Sequence, residues 1–168
     1  MSIIGLDLGH TTTVAAEHWL AQLPPVPGLV ACTHFGGGRV LITLAGLDPA
    51  VLPPDATPAT DDADGPAARV VRLHAAGTGG RAVRYPGVER LVGSLPVAEV
   101  LSATAIERVV VMGLPDRPDA PGDTLLDTRA FVRPQWMDGR LTLVTMPTPD
   151  GHIAPFEVPN PTPCCADH

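Results

Sequence analysis

At 168 residues, 45% of them hydrophobic, the chain is long enough to bury one core and is read as a single domain. Its formal net charge of −7 argues against a nucleic-acid partner, because binding a phosphate backbone takes a concentrated basic surface. No apolar run approaches the roughly 18 residues of a membrane span, and MSIIGLDLGH carries neither a basic leader nor a small-residue cleavage site, so a cytoplasmic protein with no membrane partner is expected.

Residues 2–8 read as a strand. Ala16, Trp19, Leu20 and Leu23 then recur at the i, i+3, i+4, i+7 spacing of a helix face, capped by Thr12 or Thr13 and stopped by Pro24, Pro25 and Pro27. Leu29 to Phe35 and Arg39 to Ala45 form a hairpin across Gly36, Gly37 and Gly38, which allow a tight reversal. Residues 53–68 hold four Asp and four Pro and bury too little apolar surface to offset the entropy of ordering, which predicts a mobile acidic loop.

Beyond that loop, Ala68 to His74 reads as a strand, and Pro86 to Thr104 as largely helical, with Pro96 opening a second helix or kinking a single one. Ile106 to Met112 is β-branched and apolar on both faces, as in the middle of a sheet. A proline-rich connection through Pro115, Pro118 and Pro121 follows. The turn pairs Asp138-Gly139 and Asp150-Gly151 bracket an alternating strand and predict a three-stranded antiparallel meander, with Pro134 putting its first strand at an edge. The fold class is α+β, with mixed α/β pairing open: seven or eight strands and two or three helices in one domain over 1–158, followed by a Pro-rich Cys/His tail at 159–168.

The stretch IIGLDLGHTTTVA resembles the first phosphate loop of the actin, heat-shock chaperone and sugar-kinase superfamily. The resemblance covers about a dozen residues and implies nucleotide phosphates held around Asp7, Gly9, Thr11, Thr12 and Thr13. The helical spacing after Thr13 supports a different reading, a strand followed by a capped helix whose free N–H groups attract an anion weakly. Gly77, Gly79 and Gly80 with Arg81 and Arg84 match no phosphate-loop spacing and read as a flexible turn. Ser occurs only at Ser2, Ser94 and Ser102, GxSxG is absent and no acid–base pair stands out, so no catalytic residue is assigned.

Three cysteines in a chain without an export signal suggest free thiols or metal ligands rather than a disulfide scaffold. The absence of Lys, with the wealth of Ala, Pro, Gly and Asp, suggests a GC-rich bacterial coding sequence. Pro155, Pro159, Pro161 and Pro163 make the end of the chain stiff and extended, so Cys164, Cys165 and His168 can be placed rather than left dangling. Two thiols and an imidazole within five residues suit zinc, iron or copper. Cys32 and His34, two apart on a strand, share a face and complete a candidate donor set, with His10, His18, His74 and His152 as substitutes. The expected function is therefore transition-metal binding or thiol redox chemistry. The alternatives are an accessory module that another protein reads through an edge strand and the Pro-rich tail, and phosphate binding at the N-terminal turn.

Overall fold

A computed structural model of the chain describes residues 2–54, 56, 58–59, 64–113 and 118–159. These form three α-helices and a ten-stranded mixed sheet in an α+β arrangement. Among the described residues no helix is long and apolar enough to cross a membrane.

The N-terminal half follows its local chemistry. β1 (Ile3–Leu6) leads into α1 (Thr13–Gln22), whose N-cap Thr12 accepts from Ala15 N at 3.2 Å. Ala16 and Leu20 are fully buried, and Pro24 and Pro25 follow the helix. β2 (Val30–Gly36) and β3 (Arg39–Ala45) pair antiparallel from Val30↔Ala45 to Gly36↔Arg39. That register leaves Gly37 and Gly38 as a two-residue turn, with φ of 61° and 75°, a conformation that glycine adopts without steric cost.

α2 (Pro66–Ala75) replaces the expected strand over Ala68–His74. Pro66 opens a helix, and Ala67, Val70, Val71 and His74 recur at i, i+3, i+4, i+7, so the β-branched pair obeys a helical period rather than alternation. Of the expected acidic loop, residues 55, 57 and 60–63 lie outside the described residues, while Pro66 to Ala68 already belong to α2.

β4 (Arg81–Arg84) pairs with β2. The expected helix from Pro86 to Thr104 reduces to a single 3-10 turn at Val88–Arg90, β5 (Ser94–Pro96) and α3 (Val97–Ala103). Pro96 precedes α3, and Gly87 and Gly93, at φ of 82° and 70°, break the chain before it. β6 (Arg108–Val111) is bonded to a neighbour on each side, in parallel to β9 (Arg140–Pro147) and at Val110 to Asp119. β7 (Leu125–Asp127), which the sequence did not suggest, pairs in parallel with β10 (Ile153–Pro155).

β8 (Gln135–Met137), β9 and β10 form the expected meander, with Asp138-Gly139 as the turn between the first two. Its first strand is not an edge: β8 lies between β4 and β9. Pro134 sits just outside β8 and needs no donor there, and its carbonyl accepts from Ala82 N at 2.7 Å.

The sheet runs β1-β3-β2-β4-β8-β9-β10-β7-β5, with β6 on β9. One core packs Ala16, Leu20 and Leu23 of α1 and its C-cap on Ile4, Leu6, Ala31, Val40, Ile42 and Leu44. The opposite face of β1 meets α2, where a Cβ on Gly5 would lie 2.5 Å from Ala67 O. A second core gathers α3, β6 and β9 around Leu126, Ile106 and Leu143. Cys32 and Ala82 belong to it, so β2 and β4 join the two halves.

Candidate functional site

Alternation along β2 puts Cys32 and His34 on the face of the sheet that carries α2, as the spacing predicts. Thr43 lies opposite Cys32 in β3, and the last turn of α2 lowers His74 onto the same spot. His34 Nε2 is hydrogen-bonded to Thr43 Oγ1 at 2.8 Å, and Thr43 Oγ1 to His74 Nδ1 at 2.7 Å. The imidazole rings stand 6.4 Å apart, and Trp136 of β8 packs 5.7 Å from the His74 ring. Gly80 closes over His34; a Cβ there would lie 2.4 Å from His34 Cε1.

Burial decides the charge state of these groups. Desolvation lowers the pKa of His74 to about 4, and lowers His34 to about 4 with the neighbouring His74 adding to the effect. Both rings are neutral at pH 7. Cys32 is fully buried beside Trp136 and Thr43, and burial pushes its thiol up to about 12, so it is a protonated core residue. Trp136 Nε1 is buried, meets no oxygen or nitrogen acceptor among the described residues, and has the Cys32 sulfur as its polar neighbour.

Two cavities flank this chain of hydrogen bonds. One, of about 340 Å³, is lined by His34, Phe35, Gly80, Arg81, Gln135 and Glu157. The other, of about 400 Å³, is lined by His74, Ile3, Ala76, Gly77, Trp136 and Gly139. On the α1 side, Glu17 binds Arg81 NH1 at 2.6 Å and Arg133 NH2 at 2.6 Å, and Arg81 Nε also donates to Glu157. Burial works against the Glu17 carboxylate, but hydrogen bonds and charge from Arg133 and Arg81 outweigh it and hold its pKa below the ordinary range. Arg133 stacks 4.4 Å over the Phe131 ring.

Of the candidate donors, Cys164, Cys165 and His168 lie outside the described residues. Cys32 and His34 are brought together, but among the described residues no three His, Cys, Asp or Glu side chains are grouped to hold a metal. His152 pairs with Asp150 at 3.4 Å, and His10 Nε2 is buried without a partner. At the N-terminal turn, Asp7 accepts from Gly9 N and pairs with Arg39, and Thr12 caps α1. The strand there leads into a helix rather than a second strand, unlike the phosphate loop it resembles.

The glycines after α2 serve packing: Gly77 lies against Gly139, and Gly79 N donates to Trp136 O. Arg84 donates to Leu20 O, Leu23 O and Pro24 O, closing the end of α1. Sequence reasoning missed Thr43 and Trp136 and named His74 only as a substitute ligand. The usable signals were the lone hydroxyl in the apolar run RVLITLA and the helical period that puts His74 on the buried face of α2. Comparison with protein-family models, with curated proteins and with solved structures finds no match for the chain.

Proposed function

We propose that the protein binds a transition metal through Cys164, Cys165 and His168, with His34 as the ligand from the body of the molecule, or cycles the same thiol pair in redox exchange. The observation that carries this reading is the state of His34. It is neutral at pH 7, so no proton competes with a metal for it, and its Nε2 is held by Thr43, the kind of outer partner that fixes the ring of a metal-binding histidine.

Chain length supports the pairing. Glu157 lines the same cavity as His34, and Cys164 follows Pro159 by five residues, a reach of at most about 18 Å. Two thiolates and two imidazoles suit tetrahedral zinc best, with iron or copper admitted by ligand softness. Cys32 is left out of this donor set, because a thiolate in its place would be a buried unpaired charge. A reducing, cytoplasmic setting would keep the tail thiols available.

Metal analysis of untagged protein purified without oxygen tests the reading. One equivalent of metal is expected in the natural chain and none in a Cys164→Ala, Cys165→Ala double variant. A chain without metal whose tail thiols oxidise reversibly would leave the redox form, and one with neither property would end both.

A second reading is an accessory module for another protein, favoured by an apolar groove of about 490 Å³ between the β2–β3 turn and α2. Phe35 there is 76% exposed beside Val70 and Leu73. Such a groove, rather than a β8 edge, would take a partner's extended apolar segment, and Phe35→Ala together with removal of residues 160–168 should then abolish capture of that partner. Titration with ATP and inorganic phosphate, expected to show no saturable binding, tests the phosphate reading.

A further inference from the structure

We infer that His34, Thr43 and His74 form a proton relay between the two cavities, in which the tautomer of one imidazole dictates that of the other. A threonine hydroxyl has one proton to give and lone pairs with which to accept. Placed 2.8 Å from one ring nitrogen and 2.7 Å from another, it donates to one and accepts from the other. With the hydroxyl proton shared between the rings rather than turned to the neighbouring Cys32 sulfur, which would be a weak acceptor, two arrangements satisfy all three groups. Either His34 Nε2–H donates to Thr43, whose hydroxyl donates to His74 Nδ1, or His74 Nδ1–H donates to Thr43, whose hydroxyl donates to His34 Nε2.

Each arrangement fixes both rings. In the first both carry their proton on Nε2, and in the second both carry it on Nδ1. The outward nitrogens, His34 Nδ1 and His74 Nε2, have no hydrogen-bond partner among the described residues, and neither belongs with His10 Nε2 and Trp136 Nε1, the atoms there that are both buried and unpartnered. They therefore keep contact with the cavities that their rings line.

The transfer balances. A proton passes from water or a bound acid in the first cavity to His34 Nδ1. The Nε2 proton moves to Thr43 Oγ1, the hydroxyl proton moves to His74 Nδ1, and His74 Nε2 releases its proton to water or a bound base in the second cavity. Four bonds to hydrogen break and four form, counting those of the donor in the first cavity and the acceptor in the second. Neither ring nor the hydroxyl ends charged, in keeping with the neutrality that burial imposes on both rings; the donor is left as its conjugate base and the acceptor as its conjugate acid. Both tautomers end reversed, so a second passage requires the return step, and the device couples the two cavities rather than conducting continuously.

The two cavities differ in chemistry. The first offers Arg81, Gln135 and Glu157 to a polar occupant. The second shows no charged side chain and sets Trp136 and Ile3 beside His74, which fits a small uncharged ligand with one hydrogen-bonding group. The relay does not depend on a metal; a metal on His34 Nδ1 would select the first arrangement.

The test is nitrogen-15 NMR of the metal-free, full-length protein labelled at histidine, read at neutral pH. Both rings should show the same tautomer. Thr43→Val should release them into independent mixtures, His74→Phe should change the tautomer ratio of His34 at least twofold, and Thr43→Ser should keep the rings matched. Opposite tautomers in the natural chain, or a His34 ratio unmoved by whichever of Thr43→Val and His74→Phe folds, would overturn the relay.

Discussion

At the scale of the residue, the two thiol environments set the chemistry. Cys32 sits in the core with a thiol that stays protonated, so a chain carrying Cys164→Ala and Cys165→Ala should not react with a thiol reagent at pH 8 until denatured, and should then give one thiol per chain. Rapid native labelling would show that the β2 face opens. His34 and His74 have folded-state pKa values below their ordinary one, so the unfolded state takes up protons first as pH falls. Their stabilising effect is therefore complete above about pH 6.5 and is lost between about pH 6.5 and 4. Each ring contributes on the order of 3 kcal/mol of acid sensitivity in the metal-free protein, at about 1.4 kcal/mol per tenfold change. Denaturant midpoints across that range measure it, and Thr43→Val, which leaves both rings buried, should keep the sign. The shared face of Cys32 and His34 was legible from a period of two. Their partner His74 was not, because its position depends on a helix packing over the sheet.

At the scale of the element, the legible parts carried their own punctuation. The Thr12 cap, the prolines after α1 and the glycine pair between β2 and β3 each restrict the backbone within a few residues. α2 carried Pro66 and a helical period over Ala67, Val70, Val71 and His74, but AARVVRLH also offers β-branched residues to a strand, and the tertiary fit to β1 decides between the two. That fit is close at Gly5, where a Cβ would meet Ala67 O at 2.5 Å and Val71 Cγ2 at 2.7 Å. Gly5→Ala should therefore push α2 off the sheet and lower stability by about 1–3 kcal/mol, read from denaturant unfolding. An unchanged midpoint would mean that α2 is not seated as described. The helix expected across Pro86–Thr104 failed because left-handed glycines and a β5 pairing to β7 divide it, and that pairing spans some thirty residues of sequence.

At the scale of the whole molecule, the α+β class was legible from the mixture of helix and strand patterns, while the order of the sheet was not. Joining β4 to β8 and β6 to β9 is a long-range choice made by burial of the second core. Glu17 helps hold the assembly, because it ties α1 to Arg81 of β4 and to Arg133 before β8. Glu17→Ala would leave Arg133 without its carboxylate and Arg81 with Glu157 alone, at a cost of about 2 kcal/mol or more. Since its pKa lies below the ordinary value, its contribution is present above about pH 4.5 and lost as pH falls through the lower folded value. The functional account turns on whether the tail and the sheet meet at one metal. One equivalent of zinc added to histidine-labelled protein is predicted to shift the ring nitrogens of His34 and His168 together and to leave His18 and His152 in place; His34 signals that do not move while zinc binds would contradict it.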